Sequence, residues 1–401
     1  MSVLAELVAP LAIEDFKTSY AYRRAVHLTG QADRFARLDL AIKPEDILSS
    51  KLLAGHPVKL SGGGRSVTTK DQDEIRSELG RGATLILEDA DRFSAPLGRF
   101  IDKISGEICA PCRFNLYRSA PGRQGYRTHY DTHDFFILQL QGSKRWRVFP
   151  HTVEWPLFYQ KAHGTSPPPE DSIYLECTLS PGDVLYVPKG HWHDAAAVDL
   201  NESSEMSTHL TLAMFLRTGI DFLTWLVDEL REDVRARETF PFVWATGGIV
   251  PDELLNDFTR HSKALLHHVH GCLADDAFDA IRFLTASLQS IRSHVPVPLD
   301  AADPSRLNVK DLEEHVVMIE RTERPALLFT SADVVEVHLA NQIIDLGHRA
   351  TPLLQTILGA SKPLTFSDLT KSADGLTRQQ TVEVLHSLVQ HGVVRIIRRP
   401  E

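Results

Sequence analysis

Between about residues 111 and 216 the chain breaks into short apolar runs punctuated by glycine and proline: CRFNLYRSAPG, DFFILQLQG, KRWRVFP, IYLECTLSPGDVLYVPKG and HLTLAMFL. Several strands at such close spacing, with turn signals between them, indicate an antiparallel barrel or sandwich. The three consecutive prolines in residues 164–172 cannot continue a strand, so that loop reads as an exposed insertion.

The flanks follow other rules. Residues 1–110 read as mixed α/β, with a polar helix over 69–79 (TKDQDEIRSEL) and a short strand over 83–87 (ATLIL). After Arg217 the period becomes helical, and Ile220, Leu223, Leu226, Val227, Leu230 and Val234 share one face. Helical segments continue to about 295, where VPVPLDAADPS reads as a linker. From about 325, strand-like ALLFT and VVEVHLA precede helical TPLLQTILG, FSDLTKSA and TRQQTVEVLHSLVQHG, and VVRIIRR closes a unit that resembles a winged helix. The 401 residues thus divide into 1–216, 217–300 and 301–401, in an α+β class.

Composition excludes more than it specifies. No run of about 18 apolar residues occurs and the N-terminus is acidic, so a cytoplasmic protein with no membrane partner is expected. Four cysteines cannot staple a chain of this length. The net charge of -10 argues against a nucleic-acid partner and suits a basic polypeptide.

The chemistry gathers around Thr128-His129-Tyr130-Asp131 and, about sixty residues on, Gly190-His191-Trp192-His193. Side chains at i and i+2 of a strand share a face, so His129 and Asp131 can both turn into a barrel mouth. A histidine beyond the turn Ser180-Pro181-Gly182-Asp183 would complete a two-histidine, one-carboxylate triad with open positions, the arrangement of non-haem Fe(II) oxygenases. His193 and His191 both compete for that place. A basic side chain from GSKRWR, residues 142–147, could reach into the same barrel and meet a carboxylate.

The stretches FNLYRSAPGRQGYRTHYDTHDFFILQLQGSKRWRVF, LSPGDVLYVPKGHWHDA and STHLTLAMF resemble the JmjC-type ribosomal oxygenases. These are cupin-like, 2-oxoglutarate-dependent hydroxylases of protein side chains. The resemblance implies a double-stranded β-helix barrel, a helical dimerisation domain and a C-terminal winged helix, in that order. It implies metal ligation by His129, Asp131 and His193, with His191 as a rival third ligand. It gives Lys144 the distal carboxylate of 2-oxoglutarate, helped by Tyr117, and places Asn115, His209 and Thr211 in the co-substrate pocket. The implied reaction consumes O2 and 2-oxoglutarate over Fe(II), yields succinate and CO2, and hydroxylates a ribosomal protein or a natural-product precursor peptide. An N-methyl demethylase and a non-catalytic ligand sensor with a DNA-binding winged helix are the alternatives. A homodimer is expected.

Three other signals carry less. Cys109-Ala110-Pro111-Cys112 lacks a second pair at zinc spacing. His267, His268, His270 and Cys272 could hold a metal but read as a solvated helix face. The basic tail Arg395 to Arg399 follows a helix that is not basic.

Overall fold

The computed structural model describes residues 2–38, 40, 56–62, 65–122, 126–162, 164–198, 206–241, 251–273, 282–287, 317–322, 326–330, 334–339, 342–360 and 362–398. The linker expected at 295–305 lies outside them. Contacts gather residues 1–216 with 290–401 into one unit and residues 217–289 into another.

Two antiparallel sheets build the barrel region. The larger contains β1 (Val26–Leu28), β2 (Val58–Gly62), β3 (Arg65–Thr69), β4 (Thr84–Leu87), β5 (Cys112–Ser119), β6 (Asp134–Gln141), β9 (Val184–Val187) and β11 (Ser207–Met214), in the order β1-β9-β6-β11-β5-β4-β2-β3. The smaller orders β10 (His191–Val198), β7 (Ser143–His151) and β8 (Leu175–Leu179). Alternation along the strands decides which side chains enter the space between them. Phe114, Leu116, Phe136, Leu138, Leu210 and Leu212 point outward into a core shared with Leu97, Phe100, Ile101 and Ile104 of the helix Ala95–Ile108. Their neighbours Phe135 and Ile137 point inward and pack with Trp146, Val148 and Leu179 of the smaller sheet. Both faces of the larger sheet are therefore covered, which is why β6 and β11 read as nearly unbroken apolar runs.

The polar helix expected at 69–79 forms at Gln72–Gly80, with the Asp71 carboxylate accepting the Asp73 N–H at 2.8 Å. Residues 1–37 are joined to the barrel by side-chain bonds. The buried Arg34 donates to the carbonyls of Leu7 and Ala9, both at 2.6 Å, and the Asp183 carboxylate accepts the Gly30 N–H at 2.9 Å. Strand β1 runs antiparallel along β9.

The C-terminal residues of this unit contain β12 (Val317–Arg321) paired with β16 (Val394–Arg398), and a meander of β13 (Ala326–Thr330), β14 (Val334–Leu339) and β15 (Gln342–Gly347). Helices Thr351–Gly359, Phe366–Ser372 and Arg378–Gln390 bury Leu353, Leu369 and Leu385 in a core of their own. Thr365 with Asp368 and Thr377 with Gln380 form capping boxes that start the last two helices.

The helical unit contains Gly219–Glu229, begun by a Thr218–Asp221 capping box, and Asp252–Cys272. Of the apolar face expected there, Leu226 is buried, while Ile220, Leu223 and Val227 are each more than half exposed. No described helix is long and apolar enough to cross a membrane.

Candidate active site

His129 and Asp131 lie in the segment entering β6, one short step before the strand proper. An isolated bridge fixes them: His129 N–H donates to the His193 carbonyl at 3.1 Å, and His193 N–H returns the bond at 2.7 Å. The Gly190 N–H donates to the Asp131 carbonyl at 2.8 Å. Gly190 has φ +83°, and a Cβ there would meet the Val153 carbonyl at 2.8 Å, so the close approach of the 153–156 loop demands glycine.

This backbone clamp brings donor atoms of His129, Asp131 and His193 within 4.8 Å of one another. The Nε2 of His193 is 3.8 Å from an Asp131 oxygen. Both imidazoles donate Nδ1–H to main-chain carbonyls, His129 to Arg127 at 2.9 Å and His193 to His191 at 3.1 Å. A carbonyl can only accept, so Nδ1 carries the proton and each Nε2 keeps a lone pair for a metal. Burial, with His129 nearby, pushes the His193 imidazole down to about 4 and keeps it neutral. Burial alone would raise the Asp131 carboxyl, but His133, His129 and His193 hold it below the usual range.

The three residues open onto a cavity lined also by Thr84, Tyr117, Tyr126, Lys144, His209 and Thr211. On β7, Lys144 pairs with Ala197 while Val148 faces His193. The two ends are thus four residues apart, roughly 13 Å along the strand. Lys144 is 3% exposed, and its ammonium donates to the Ser119 hydroxyl at 3.2 Å, which itself shares a 2.9 Å bond with Thr84. Burial without a carboxylate partner pushes the Lys144 ammonium down to about 7. Tyr117 and His209 face each other across β5 and β11 and stack at 4.9 Å. Burial, then the adjoining Lys144, holds His209 well below its ordinary value. Its Nδ1 and the Trp146 Nε1 are buried without a hydrogen-bond partner among the described residues.

A family model of the JmjC domain matches residues 90–216, the stretch that carries all three converging donors and Lys144. These residues form a JmjC domain. The chain is similar to ribosomal oxygenase 2 of Rattus norvegicus, 29% identical over 60% of this chain and 54% of that protein. It spans about half the length of that relative, and about a third of the Bos taurus protein of the same name, to which it is 35% identical over 168 residues. Among solved structures it is similar to YcfD of Escherichia coli, with a TM-score of 0.64, 17% identity and coverage of 96% of this chain and 98% of that one. The JmjC/cupin-like core with helices, expected from the sequence, is the fold.

Of the two histidines expected to compete for the third position, His193 converges with His129 and Asp131, whereas the His191 Nδ1 lies 2.7 Å from the Tyr174 hydroxyl, which accepts the Ala25 N–H at 2.9 Å. Asn115 keeps the face of Tyr117 but does not line the cavity; its amide oxygen accepts the Asp89 N–H at 3.1 Å. His133 packs against Phe215, 5.1 Å between rings.

Sequence reasoning missed Thr84, Ser119, Tyr126 and Asp194. Tyr126 lines the mouth 5.4 Å from the His129 ring, with Lys59 over its own ring. Asp194 receives a bidentate Arg147, at 2.9 and 2.8 Å, and the Thr128 hydroxyl at 3.0 Å. The stretch HWHD, with a basic side chain on the paired strand, was the available signal for that contact.

Proposed function

We propose that this chain is an Fe(II)- and 2-oxoglutarate-dependent oxygenase that hydroxylates a side chain of a protein or peptide substrate. The observation that carries the reading is one cavity with a two-histidine, one-carboxylate donor set at one end and an unpaired buried lysine at the other. The donor set fits the metal, since two neutral imidazole nitrogens and one ionised carboxylate face a common point. The far end fits a dicarboxylate, since among the described residues Lys144 has no anion beside it and His209 Nδ1 has no hydrogen-bond partner. The YcfD structure described in complex with cobalt and 2-oxoglutarate, with a TM-score of 0.60 and 17% identity, supports the same reading by analogy of fold.

When bound, the iron supplies the redox chemistry by which O2 and 2-oxoglutarate become succinate, CO2 and one oxygen atom placed in a C–H bond. The chain's own residues do the rest. His129, Asp131 and His193 would hold the ion. Lys144 and the Ser119 hydroxyl take the distal carboxylate, and Tyr117, His209 and Thr211 confine the chain between. Phe135, Ile137 and Trp146 keep water from the inner cavity. Tyr126, half-buried beside His129, stands where a substrate side chain would enter.

The net charge of -10 and the names of the relatives favour a basic ribosomal protein as substrate. The exposed apolar face of the helical unit supports a homodimer, and the capped helices closed by β16 support a winged-helix reading of the C-terminal residues.

Purified chain, Fe(II) and 2-oxoglutarate with total ribosomal proteins test the activity. Release of succinate together with a mass gain of one oxygen atom on one protein is expected, and both should vanish in His129→Ala and Asp131→Ala at unchanged circular dichroism. Turnover retained in either variant overturns the ligand set; release of formaldehyde together with the loss of one CH2 unit from the substrate would favour demethylation.

A further inference from the structure

A second set of donor atoms converges in the helical unit, and the proposed oxygenase reaction does not use it. His268 and Cys272 stand at i and i+4 on the helix Asp252–Cys272, so they share a face. Asp233 reaches them from the turn after Leu230–Glu232, held there by its Oδ1, which accepts the Ala236 N–H at 2.8 Å. The His268 Nε2 is 3.0 Å from each Asp233 oxygen and 3.7 Å from the Cys272 sulfur. One ligand atom from each residue lies within 4.8 Å of the other two.

The pattern of contacts separates a metal site from a nucleophilic triad. In a triad the carboxylate orients one ring nitrogen and the thiol uses the other. Here carboxylate and thiol meet the same nitrogen, so all three donors surround a single point. The set combines a thiolate, an imidazole and a carboxylate, whose charges neutralise a divalent ion. The soft sulfur favours Zn(II) over Fe(II), and Zn(II) also stands above Fe(II) in the general affinity order.

We propose that Asp233, His268 and Cys272 form a Zn(II) site whose remaining coordination position is open to solvent. In the metal-free chain the ionised Asp233 accepts the His268 Nε2 proton. On binding, that proton moves to Nδ1 through solvent, the Cys272 thiol releases its proton to water, and Zn(II) takes the vacated lone pairs. The ion would tie the turn at Asp233 to the C-terminal end of the long helix, two segments 35 residues apart in sequence. The inference is independent of the oxygenase reading, because the two donor sets share no residue.

Co(II) is the probe that tells the two sets apart, since only a thiolate ligand gives a sulfur-to-cobalt charge-transfer band in the near ultraviolet. Full-length chain stripped of metal and titrated with Co(II) should develop that band, and added Zn(II) should abolish it. The band should be absent in Cys272→Ser and in His268→Ala, both of which should keep one equivalent bound at the other donor set. It should persist in His129→Ala/Asp131→Ala. Asp233→Asn should weaken Zn(II) affinity by at least about tenfold. A wild-type chain without the band overturns the proposal, as does a band that survives Cys272→Ser or His268→Ala, which would assign it to Cys109, Cys112 or Cys177.

Discussion

Lys144 is a buried ammonium beside the hydroxyls of Ser119 and Thr84, pushed down to about 7 by desolvation. A bound carboxylate favours the charged form, so co-substrate binding takes up a proton above that value. The KM for 2-oxoglutarate should therefore rise as the pH climbs past about 7, by up to tenfold per pH unit, when succinate release is followed across the neutral and mildly alkaline range. Lys144→Ala should raise KM about 10- to 100-fold, the equivalent of one charge-assisted hydrogen bond, and should flatten that pH dependence. An unchanged KM would remove Lys144 from its assigned role. The residues alone offered a basic side chain from 142–147 without choosing among Lys144, Arg145 and Arg147, and the resemblance to the ribosomal oxygenases singled out Lys144. Ser119 and Thr84 were not legible, because each is a small hydroxyl on a distant strand and only the β4–β5 pairing brings them together.

At the scale of the element, the spacing of His191 and His193 left both open and the resemblance favoured His193; what the spacing could not show is that Tyr174, from the segment before β8, engages His191. Strand β10 depends on its neighbour beyond backbone pairing, since Asp194 is 6% exposed and its charge is balanced by Arg147 on β7. Arg147→Ala would leave a buried carboxylate unpaired and should destabilise the chain by about 3 kcal/mol or more, read from chemical denaturation. Glu170→Ala, on the exposed side of the same guanidinium, should change stability by less than about 1 kcal/mol. Equal effects from the two would show that Asp194 relies on something other than Arg147. Strand existence was legible throughout the barrel, from DFFILQLQ to HLTLAMF, since continuous apolar runs bounded by turns are what a sheet covered on both faces requires.

At the scale of the molecule, the helical period after Arg217 was legible, but which of its apolar residues would be covered was not. Leu223, 54% exposed, and Val227, 57% exposed, leave an apolar strip that the proposed homodimer would bury. Leu223→Asp should convert a dimer to a monomer in light scattering while leaving the circular dichroism spectrum unchanged; a wild-type chain already monomeric at micromolar concentration would remove the dimer. The barrel itself has limits that its family match does not share. Strand β1 covers β9 on one side, and β4, β2 and β3 continue the sheet past β5 on the other, yet all four lie outside residues 90–216. A fragment cut to the matched residues would bare two rows of backbone N–H and C=O groups, and such open edges recruit strands from neighbouring molecules. The stretch that defines kinship is thus smaller than the sheet it belongs to, and strands β1 to β4 cover the edges it would otherwise bare.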